Sequence, residues 1–326
     1  MSVIISDALN DYVYEYEEAL PKRTVKLSGV QKIDISKNGD FSDDCNPVFI
    51  QFGNTVTHIL SGACSMMYDL TAVVLPSSLV SIGEDAFANT GITQLDIPDG
   101  VKRIGFDAFG GTALTSVTLP ASLTSIGPYA FSYSCLDSVQ VPAGIGRVNY
   151  ETFSYNYLTA AEIPEGISYI AQGAFANNYI QSINLPNSLR TIEPDVFLGN
   201  EIGEVTLPDN VSIYDGSFAW NEPLSSVTIP DNAKIYLGNP FYKCPHISSA
   251  AELKVNFERN SHLKNGGIGL MSEDNTLLIP LKGLPTVNIE PIKNIGKYCY
   301  ANNDNVMSAD LTDANLSGIS EAAFFW

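Results

Sequence analysis

Residues Thr115 to Phe131 read TSVTLPASLTSIGPYAF, and residues Gln181 to Phe197 read QSINLPNSLRTIEPDVF. The two fragments are copies of one unit, whose proline recurs every 22 residues along the chain. The prolines of this series are Pro76, Pro98, Pro120, Pro142, Pro164, Pro186, Pro208 and Pro230. A fixed period in this range predicts stacked supersecondary units, each of which buries its apolar face only against its neighbours.

The apolar positions within one unit indicate its local structure. In the first fragment Val117 and Leu119 alternate with small polar residues, which is the pattern of a short strand with one buried face. The proline ends this strand because it cannot donate a hydrogen bond to a ladder. Pairs that favour turns, such as Asp99-Gly100, follow the proline, and a second apolar pair comes next.

An alanine-phenylalanine pair, as at Ala130-Phe131, recurs near the end of the unit. We predict that the pair lies on a single helical or 3₁₀ turn that directs the phenyl ring inward. Stacking in register then places like residues over like, with a phenylalanine ladder and with parallel strands about 4.8 Å apart. The predicted fold class is therefore a repeat solenoid of short parallel β-strands with turns and short helical or 3₁₀ segments.

The unit resembles the BspA-like, or Treponema pallidum type, leucine-rich repeat family. The match is carried by Ile82-Gly83 with Ala86-Phe87, Ile104-Gly105 with Ala108-Phe109, and Ile126-Gly127 with Ala130-Phe131. The resemblance implies a right-handed leucine-rich-repeat superhelix. It also implies a bacterial cell-surface or secreted protein that binds other proteins, and it transfers no catalytic residue.

Four segments are predicted along the chain. Residues 1–52 form a cap with an amphipathic helix over 6–21 and strands over 24–27 and 31–35, and residues 53–249 form the solenoid. Residues 250–288 carry one or two inserted hairpins, and residues 289–326 hold two further repeats, the last of them incomplete. An incomplete repeat exposes a strand edge and apolar surface, so we expect this end to be truncated or to associate with another chain.

The chain is strongly acidic, with 36 Asp and Glu against 17 Lys and Arg and a formal net charge of −19. This balance argues against nucleic acid as a partner. Residues 1–5 lack the charged start and the length of a secretory signal, and no stretch has the length of a membrane span. An extracellular or cell-surface location is thus implied by the resemblance alone, and we expect no membrane insertion.

Residue types that carry catalysis are sparse. The three histidines are isolated in sequence, and the five cysteines show no Cys-x-x-Cys spacing and are expected to be free thiols. Asp96 and Glu162 lie on the same strand face but three coils apart, about 14 Å at strand spacing, too far for the usual carboxylate pair of a glycosidase. We therefore expect no catalytic residue, no metal site and no cofactor.

Two surfaces are candidates for binding. The exposed strand face carries Asp96, Thr118, Gln140, Glu162 and Asn184, and it is either a solvated surface or a protein-binding face. The loops after the alanine-phenylalanine pair carry aromatic residues in matching phases, which either stack between coils or bind a protein or a glycan. These aromatics are Tyr133, Tyr155 and Trp220 in one phase and Tyr157 and Tyr179 in another.

The function predicted on these grounds is non-enzymatic binding or adhesion to a host or extracellular-matrix macromolecule. One alternative is a structural or attachment component of a larger assembly, such as a virion or an appendage. The weaker alternative is a polysaccharide-active solenoid enzyme.

Overall fold

The structure is a computed structural model. It describes residues 48–249, 251–256, 259–266, 269–280, 291–301 and 316–324 in full, together with the backbone of four short strands that precede them. The chain divides into two compact units, Met1–Leu158 and Thr159–Trp326. Each unit is a parallel β-solenoid, so the predicted fold class is confirmed.

Most coils of unit 1 contain two short strands. The first strand precedes the proline, and these strands pair in parallel in two groups, one of three strands and one of two. The second strand follows the proline turn and forms a five-stranded parallel sheet. The first strands are Thr24–Leu27, Phe49–Phe52, Ala72–Val74, Gln94–Asp96 and Ser116–Thr118. The strands of the five-stranded sheet are Lys32–Ile33, His58–Ile59, Ser81–Ile82, Arg103–Ile104 and Ser125–Ile126.

The register of unit 1 places like residues over like. Val117 pairs with Leu95, and Ile104 pairs with both Ile82 and Ile126. The expected strands near residues 24–27 and 31–35 are present, and both pair in parallel with the coil that follows. They therefore form the first coil of the stack.

The N-terminal hairpin corrects the predicted helix. Strands Val3–Asp7 and Asn10–Tyr14 pair antiparallel across a two-residue connection, where an amphipathic helix was expected from residue 6 onwards. The first strand contains the run Val3-Ile4-Ile5, and β-branched residues favour extended backbone. Pairing with this run gives Asn10–Tyr14 the hydrogen bonds that a helix would have supplied internally. The rest of the expected helix, residues 15–21, lies outside the described residues.

Unit 2 repeats the same two-strand coil. Its first strands pair in parallel in two groups, and its second strands form a continuing parallel ladder. The first strands are Ala160–Glu162, Ser182–Asn184, Glu204–Thr206, Ser226–Ile229 and Leu253–Val255. The second strands are Tyr169–Ile170, Thr191–Ile192, Ser212–Tyr214 and Lys234–Tyr236.

Two hairpins follow in unit 2, in the segment where one or two were expected. Strands Leu263–Asn265, Gly269–Ser272 and Thr276–Pro280 pair antiparallel in that order. Thr276–Pro280 then pairs in parallel with Asn294–Ile295, which pairs in parallel with Gly318–Ile319. The hairpins thus lead back into coils of the parallel kind.

Each alanine-phenylalanine pair lies on a single hydrogen-bonded turn, as predicted: the backbone N–H of Ala88 donates to the carbonyl of Asp85 at 3.1 Å, with the i→i+3 spacing of a 3₁₀ turn. Asp85 and Asn89, on either side of Ala86-Phe87, have left-handed backbone with φ of 52° and 57°. A left-handed residue cannot continue a right-handed helix. The backbone N–H of Phe87 instead donates to the carbonyl of Ala108 in the next coil at 2.8 Å. The turn is therefore not extended into a helix, and inter-coil hydrogen bonds such as that of Phe87 join it to the next coil. A 3₁₀ helix of three residues occurs at Ala143–Ile145, and the strand Arg147–Val148 follows it.

The core of each unit is a ladder of stacked phenylalanine rings. Successive ring centroids lie 5.2 to 5.9 Å apart within each unit. The rings belong to Phe87, Phe109, Phe131 and Phe153 in unit 1 and to Phe175, Phe197, Phe218 and Phe241 in unit 2. The predicted phenylalanine ladder is therefore confirmed, and it fixes which side chains of the neighbouring turns face outward.

A buried polar ladder lies beside the rings, three residues after seven of the eight phenylalanines, and Cys244 takes this position after Phe241. Asn200 shows its role: the side-chain amide donates to the carbonyls of Phe175 and Phe197 at 3.0 and 3.1 Å, and its oxygen accepts from the N–H of Ile180 at 3.0 Å. The equivalent buried residues are Thr90, Thr112, Ser134, Asn156, Asn178 and Asn221. These side chains satisfy backbone groups that the turn leaves without a ladder partner.

Candidate binding site

The turn after each phenylalanine places one residue in left-handed backbone, and this residue decides what the turn presents to solvent. Asn and Gly, which tolerate this conformation, occupy the position in several coils as Asn89, Gly111, Asn177 and Gly199. Tyr133, Tyr155 and Trp220 occupy it in three further coils, with φ of 51°, 54° and 59°, and Lys243 occupies it after Phe241 with φ of 62°. Left-handed backbone is unfavourable for bulky residues by about 1 to 2 kcal/mol. The aromatic side chains are therefore held where local backbone preference opposes them.

In unit 1 the structure brings Tyr133 and Tyr155 together. Their rings stack with centroids 4.3 Å apart, and the side chains are 58% and 42% exposed. Three more aromatic residues lie on these two turns and the turn before them: the ring of Tyr129 packs edge to face against Phe106 at 5.4 Å and against Tyr150 at 5.2 Å. We name Phe106, Tyr129, Tyr133, Tyr150 and Tyr155 the tyrosine patch.

The hydroxyl groups of the tyrosine patch interact in two pairs, Tyr133 with Tyr155 and Tyr150 with Tyr129. Burial, and then a hydrogen bond with Tyr155, raise the pKa of Tyr133. A hydrogen bond with Tyr129 raises the pKa of Tyr150 well above its usual range, with further contributions from burial and from a hydrogen bond with Glu151. The two hydroxyl groups stay protonated at neutral pH, so they can both donate and accept hydrogen bonds with a partner.

The turns that carry the tyrosine patch are acidic. Residues 105–112, 127–134 and 149–156 contain Asp107 and Glu151 and no Lys or Arg. Burial, and then the charge of Asp85, raise the pKa of Asp107. A partner group that brings positive charge to this edge would relieve the repulsion between the two aspartates.

The remaining predicted aromatics lie elsewhere. Tyr157 is exposed in unit 1. In unit 2, Tyr179 and Trp220 line one open groove, and Lys243 Nζ lies 5.0 Å from the indole centroid. The structure therefore assembles Tyr133 with Tyr155 and Tyr179 with Trp220.

The strand-face residues form no concentrated site in either unit. Thr118 Oγ1 donates to Asp96 at 3.1 Å across neighbouring strands of unit 1, and Gln140 is exposed. In unit 2, Glu162 lies opposite Asn184 in the parallel register. All five side chains are exposed, and the contacts of Thr118 with Asp96 and of Glu162 with Asn184 are those of neighbouring strands in register.

Phe106, Tyr129 and Tyr150 were not predicted from the sequence as binding residues, although the sequence contains a signal for them. Phe106 and Tyr150 are separated by 44 residues, which is twice the repeat period, and Tyr129 occupies the left-handed position before an alanine. An alignment of the repeats by phase would have shown three neighbouring turns with aromatics at the same edge. Tyr129 and its two neighbours hold different positions in the repeat, so their ring contacts become apparent only from the geometry of the turn.

Among the described residues, none of the His, Cys, Asp and Glu side chains form a group of three or more that could hold a metal ion. Cys64, Cys244 and Cys299 are buried free thiols, as expected, and Cys135 is a partly buried one. Burial raises the pKa of the Cys244 thiol to about 12, which makes it a poor nucleophile. Cys45 lies outside the described residues.

The sequence matches the model of a BspA type leucine-rich repeat region in two overlapping stretches, residues 35–159 and 147–259. None of the curated proteins matches the chain. Within the described part of the structure, no helix has the length and apolar character needed to span a membrane.

Two solved structures share the fold. A leucine-rich repeat protein from Bacteroides ovatus is 18% identical, with a TM-score of 0.63, and the alignment covers 100% of this chain and 88% of that one. A leucine-rich repeat protein from Eubacterium ventriosum is 15% identical, with a TM-score of 0.56 and coverage of 100% and 95%. At these identities the likeness concerns the fold. Because the family model covers more than half of its sequence, the chain belongs to the BspA type leucine-rich repeat family.

Proposed function

We propose that this protein is a non-enzymatic, cell-surface or secreted adhesion protein whose tyrosine patch binds a host or extracellular-matrix protein. The observation that carries the proposal is that three successive turns present two groups of contacting aromatic rings, Tyr133 with Tyr155 and Tyr129 with Phe106 and Tyr150, on partly exposed surface. Leucine-rich repeats are general scaffolds for protein interaction, and repeat solenoids present extended binding surfaces.

The chemistry of the patch suits a protein partner. Tyrosine offers a large contact area with little loss of side-chain entropy, and its hydroxyl adapts to different hydrogen-bonding groups. Tyr133 and Tyr155 occupy left-handed backbone that Asn89 and Gly111 occupy in neighbouring coils. A stacked pair alone would recover about 0.5 to 1.5 kcal/mol, which is less than the about 2 to 4 kcal/mol by which left-handed backbone is unfavourable at two bulky residues. Because stacking does not favour tyrosine at these two positions, binding of a partner is the reason for the two rings.

The test compares the tyrosine patch with the strand face. Binding of this protein to extracellular-matrix proteins, mucins and glycans would be measured by biolayer interferometry, beside Tyr133→Ala/Tyr155→Ala and Thr118→Ala/Asn184→Ala variants. Saturable binding to a protein, weakened at least about ten-fold by the tyrosine variant alone, would support the proposal. Binding weakened only by the strand-face variant, or saturable binding to glycans alone, would contradict it.

A second candidate function, attachment within a larger assembly, is favoured by the last described coil. Ile319 is 59% exposed and Phe324 is 41% exposed, and the Phe324 ring stacks on Tyr300 at 5.1 Å. Exposed apolar side chains next to a strand suit contact with another protein chain. A native mass spectrum that shows a stable oligomer, lost in an Ile319→Lys variant, would favour this function over adhesion by single molecules.

A further inference from the structure

The groove beside Trp220 in unit 2 is a second surface, separate from the tyrosine patch. It is an open groove of about 600 Å³ formed by three successive turns, and its lining includes Tyr179, Gly199, Glu201, Trp220 and Glu222. Tyr179 is 48% and Trp220 is 49% exposed. The groove therefore has aromatic walls that a ligand can reach from solvent.

The repeat register explains why a groove forms here. Trp220 and Gly199 occupy the same left-handed position in neighbouring coils, with φ of 59° and 65°. In unit 1 this position holds Tyr133 and Tyr155, and their rings fill the space between the coils by stacking. Gly199 has no side chain to place against the indole, so the space beside Trp220 stays open.

The charged groups of the groove lining are negative. Glu201 and Glu222 are both exposed, and the lining contains no Lys, Arg or His. Gln181 Nε2 donates to Glu201 at 3.1 Å, which holds one carboxylate in place. An aromatic ring face next to carboxylates attracts a cation through both its quadrupole and the neighbouring charges.

An internal contact shows that the indole accepts a cation. The ammonium of Lys243 lies 5.0 Å from the centroid of the Trp220 ring, within the range of a cation–π interaction. A second such pair, Lys297 over Tyr298 at 4.8 Å, occurs nearby in the same unit. Aromatic rings at this edge of unit 2 thus already act as ammonium-binding faces.

We propose that the Trp220 groove binds a lysine or arginine side chain carried by an extended basic peptide segment. The cation lies between the indole of Trp220 and the carboxylates of Glu201 and Glu222. The net charge of −19 adds long-range attraction for such a partner. The proposal is independent of the tyrosine patch, because the groove lies wholly within unit 2.

The test measures binding of a short peptide of alternating lysine and serine by isothermal titration calorimetry at physiological ionic strength. The same peptide with acetylated lysines removes the charge, and a neutral chitin oligosaccharide tests the aromatic walls alone. We expect saturable binding of one basic peptide per chain. Binding of the acetylated peptide or of the oligosaccharide with equal affinity would overturn the proposal, as would the absence of saturable peptide binding.

Three variants locate the site. Trp220→Asn places in the left-handed position a residue that already occupies it at Asn177, and we expect it to weaken peptide binding by about five- to ten-fold. Glu201→Gln/Glu222→Gln is expected to weaken binding by a similar factor. Equal binding by all variants and the parent protein would show diffuse attraction to the acidic surface and would overturn the proposal.

The third variant, Gly199→Asn, tests the open space and has a matched control. A side chain at Gly199 begins 2.9 Å from Asn177 Oδ1, and one at Gly111 in unit 1 begins 2.6 Å from Asn89 Oδ1. Both glycines are left-handed with φ of 65°, so Gly199→Asn and Gly111→Asn impose similar strain. We expect Gly199→Asn to weaken peptide binding and Gly111→Asn to leave it unchanged. The reverse order, or equal effects, would contradict a site at Trp220.

Discussion

The Lys297 ammonium lies 2.9 Å from the carboxylate of Asp215, and this ion pair joins coils on either side of the two hairpins. The backbone makes the same connection, since Asn239 N donates to Lys297 O at 2.8 Å and Lys297 N donates to Leu237 O at 3.0 Å. The hairpins are therefore accommodated as an insertion, and the coil stack of unit 2 resumes beyond them. Asp215 is buried, whereas Lys297 is partly exposed.

This difference in burial predicts unequal effects of removing either partner. Lys297→Met leaves a buried carboxylate without its counterion, and we expect it to lower the free energy of unfolding by about 2 to 3 kcal/mol. Asp215→Asn leaves the Lys297 ammonium able to reach water, and its expected effect is about 1 kcal/mol. Urea denaturation of the two variants checks the order. Equal losses would show that the charge of Asp215 is compensated by other groups.

Asp195, next to this ion pair, predicts a specific pH dependence. Burial, and then the charge of Asp215, raise the pKa of Asp195 in the folded state, although Lys297 and Gln172 act in the opposite direction. A carboxyl group with a raised folded-state pKa favours folding most below its ordinary pKa of about 4, and this contribution is lost as the pH rises through the folded-state value. We therefore expect Asp195→Asn to be more stable than the parent protein at neutral pH and no more stable in acid.

Glu165 provides the control with the opposite sign. Its carboxylate accepts hydrogen bonds from the backbone N–H groups of Asn187 at 2.9 Å and Ser188 at 3.1 Å, and the Asn187 bond is the main cause of a lowered pKa. Glu165→Gln should lose stability at neutral pH, and the loss should vanish as the pH falls through the folded-state pKa. Thermal melts of both variants across the acid range test the two signs. Parallel pH profiles for the two variants would refute the assignment.

The space around Gly105 shows how closely neighbouring coils of unit 1 approach each other. A side chain at Gly105 would begin 2.6 Å from the backbone of Gly83 and Glu84, whereas one at Gly203 in unit 2 would meet nothing within 4 Å. Backbone atoms cannot move aside without separating the coils, so Gly105→Ala should lower stability by about 2 to 3 kcal/mol. Gly203→Ala should have an effect near zero or slightly stabilising. Chemical denaturation of the two variants gives the comparison, and a neutral Gly105→Ala would show that the coils can separate.

The hydrogen bonds of Asn200 allow the contribution of the buried polar ladder to stability to be predicted. Removing its side chain leaves the carbonyls of Phe175 and Phe197 and the N–H of Ile180 without their hydrogen bonds. Because an unsatisfied buried group is unfavourable by about 1 to 3 kcal/mol, we expect Asn200→Ala to lose at least about 3 kcal/mol. Asn187→Ala, at an exposed turn position, serves as the control in the same denaturation experiment. Similar losses for the two variants would mean that water replaces the amide.

The repeat period explains why the fold could be predicted from the sequence. Phe109 and Phe131 are one period apart and stack in the core, because an in-register stack converts equal spacing in sequence into contact. The single turn at each phenylalanine was also predicted, but the left-handed residues that flank it were not. Spacing alone does not show that Asp107 or Asp85 has left-handed backbone, since Asp is also common at the start of a helical turn.

Contacts in the candidate site could be predicted from the sequence only for pairs of residues that hold the same position in successive repeats. Tyr133 and Tyr155 are 22 residues apart, and their contact follows from the period. Tyr129 and Tyr150 are 21 residues apart and belong to different phases, so their contact depends on the side-chain directions at the turn. The Trp220 groove depends on the missing side chain of Gly199, which a search for chemically active residues does not detect.

Tyr133 predicts a separation between stability and binding. Tyr133→Ala and Tyr133→Asn both remove the ring that stacks on Tyr155, so we expect both to weaken binding of a partner at the tyrosine patch equally. Their stability should differ, because the backbone at this position is left-handed with φ of 51°. Asn accepts that conformation more readily than Ala, as Asn89 already does in the same phase. The free energy of unfolding of Tyr133→Asn, measured by urea denaturation, should therefore be higher than that of Tyr133→Ala by about 1 kcal/mol. Equal stability of the two variants would show that the left-handed backbone imposes no strain at Tyr133, so that no partner is needed to explain why a ring stands there.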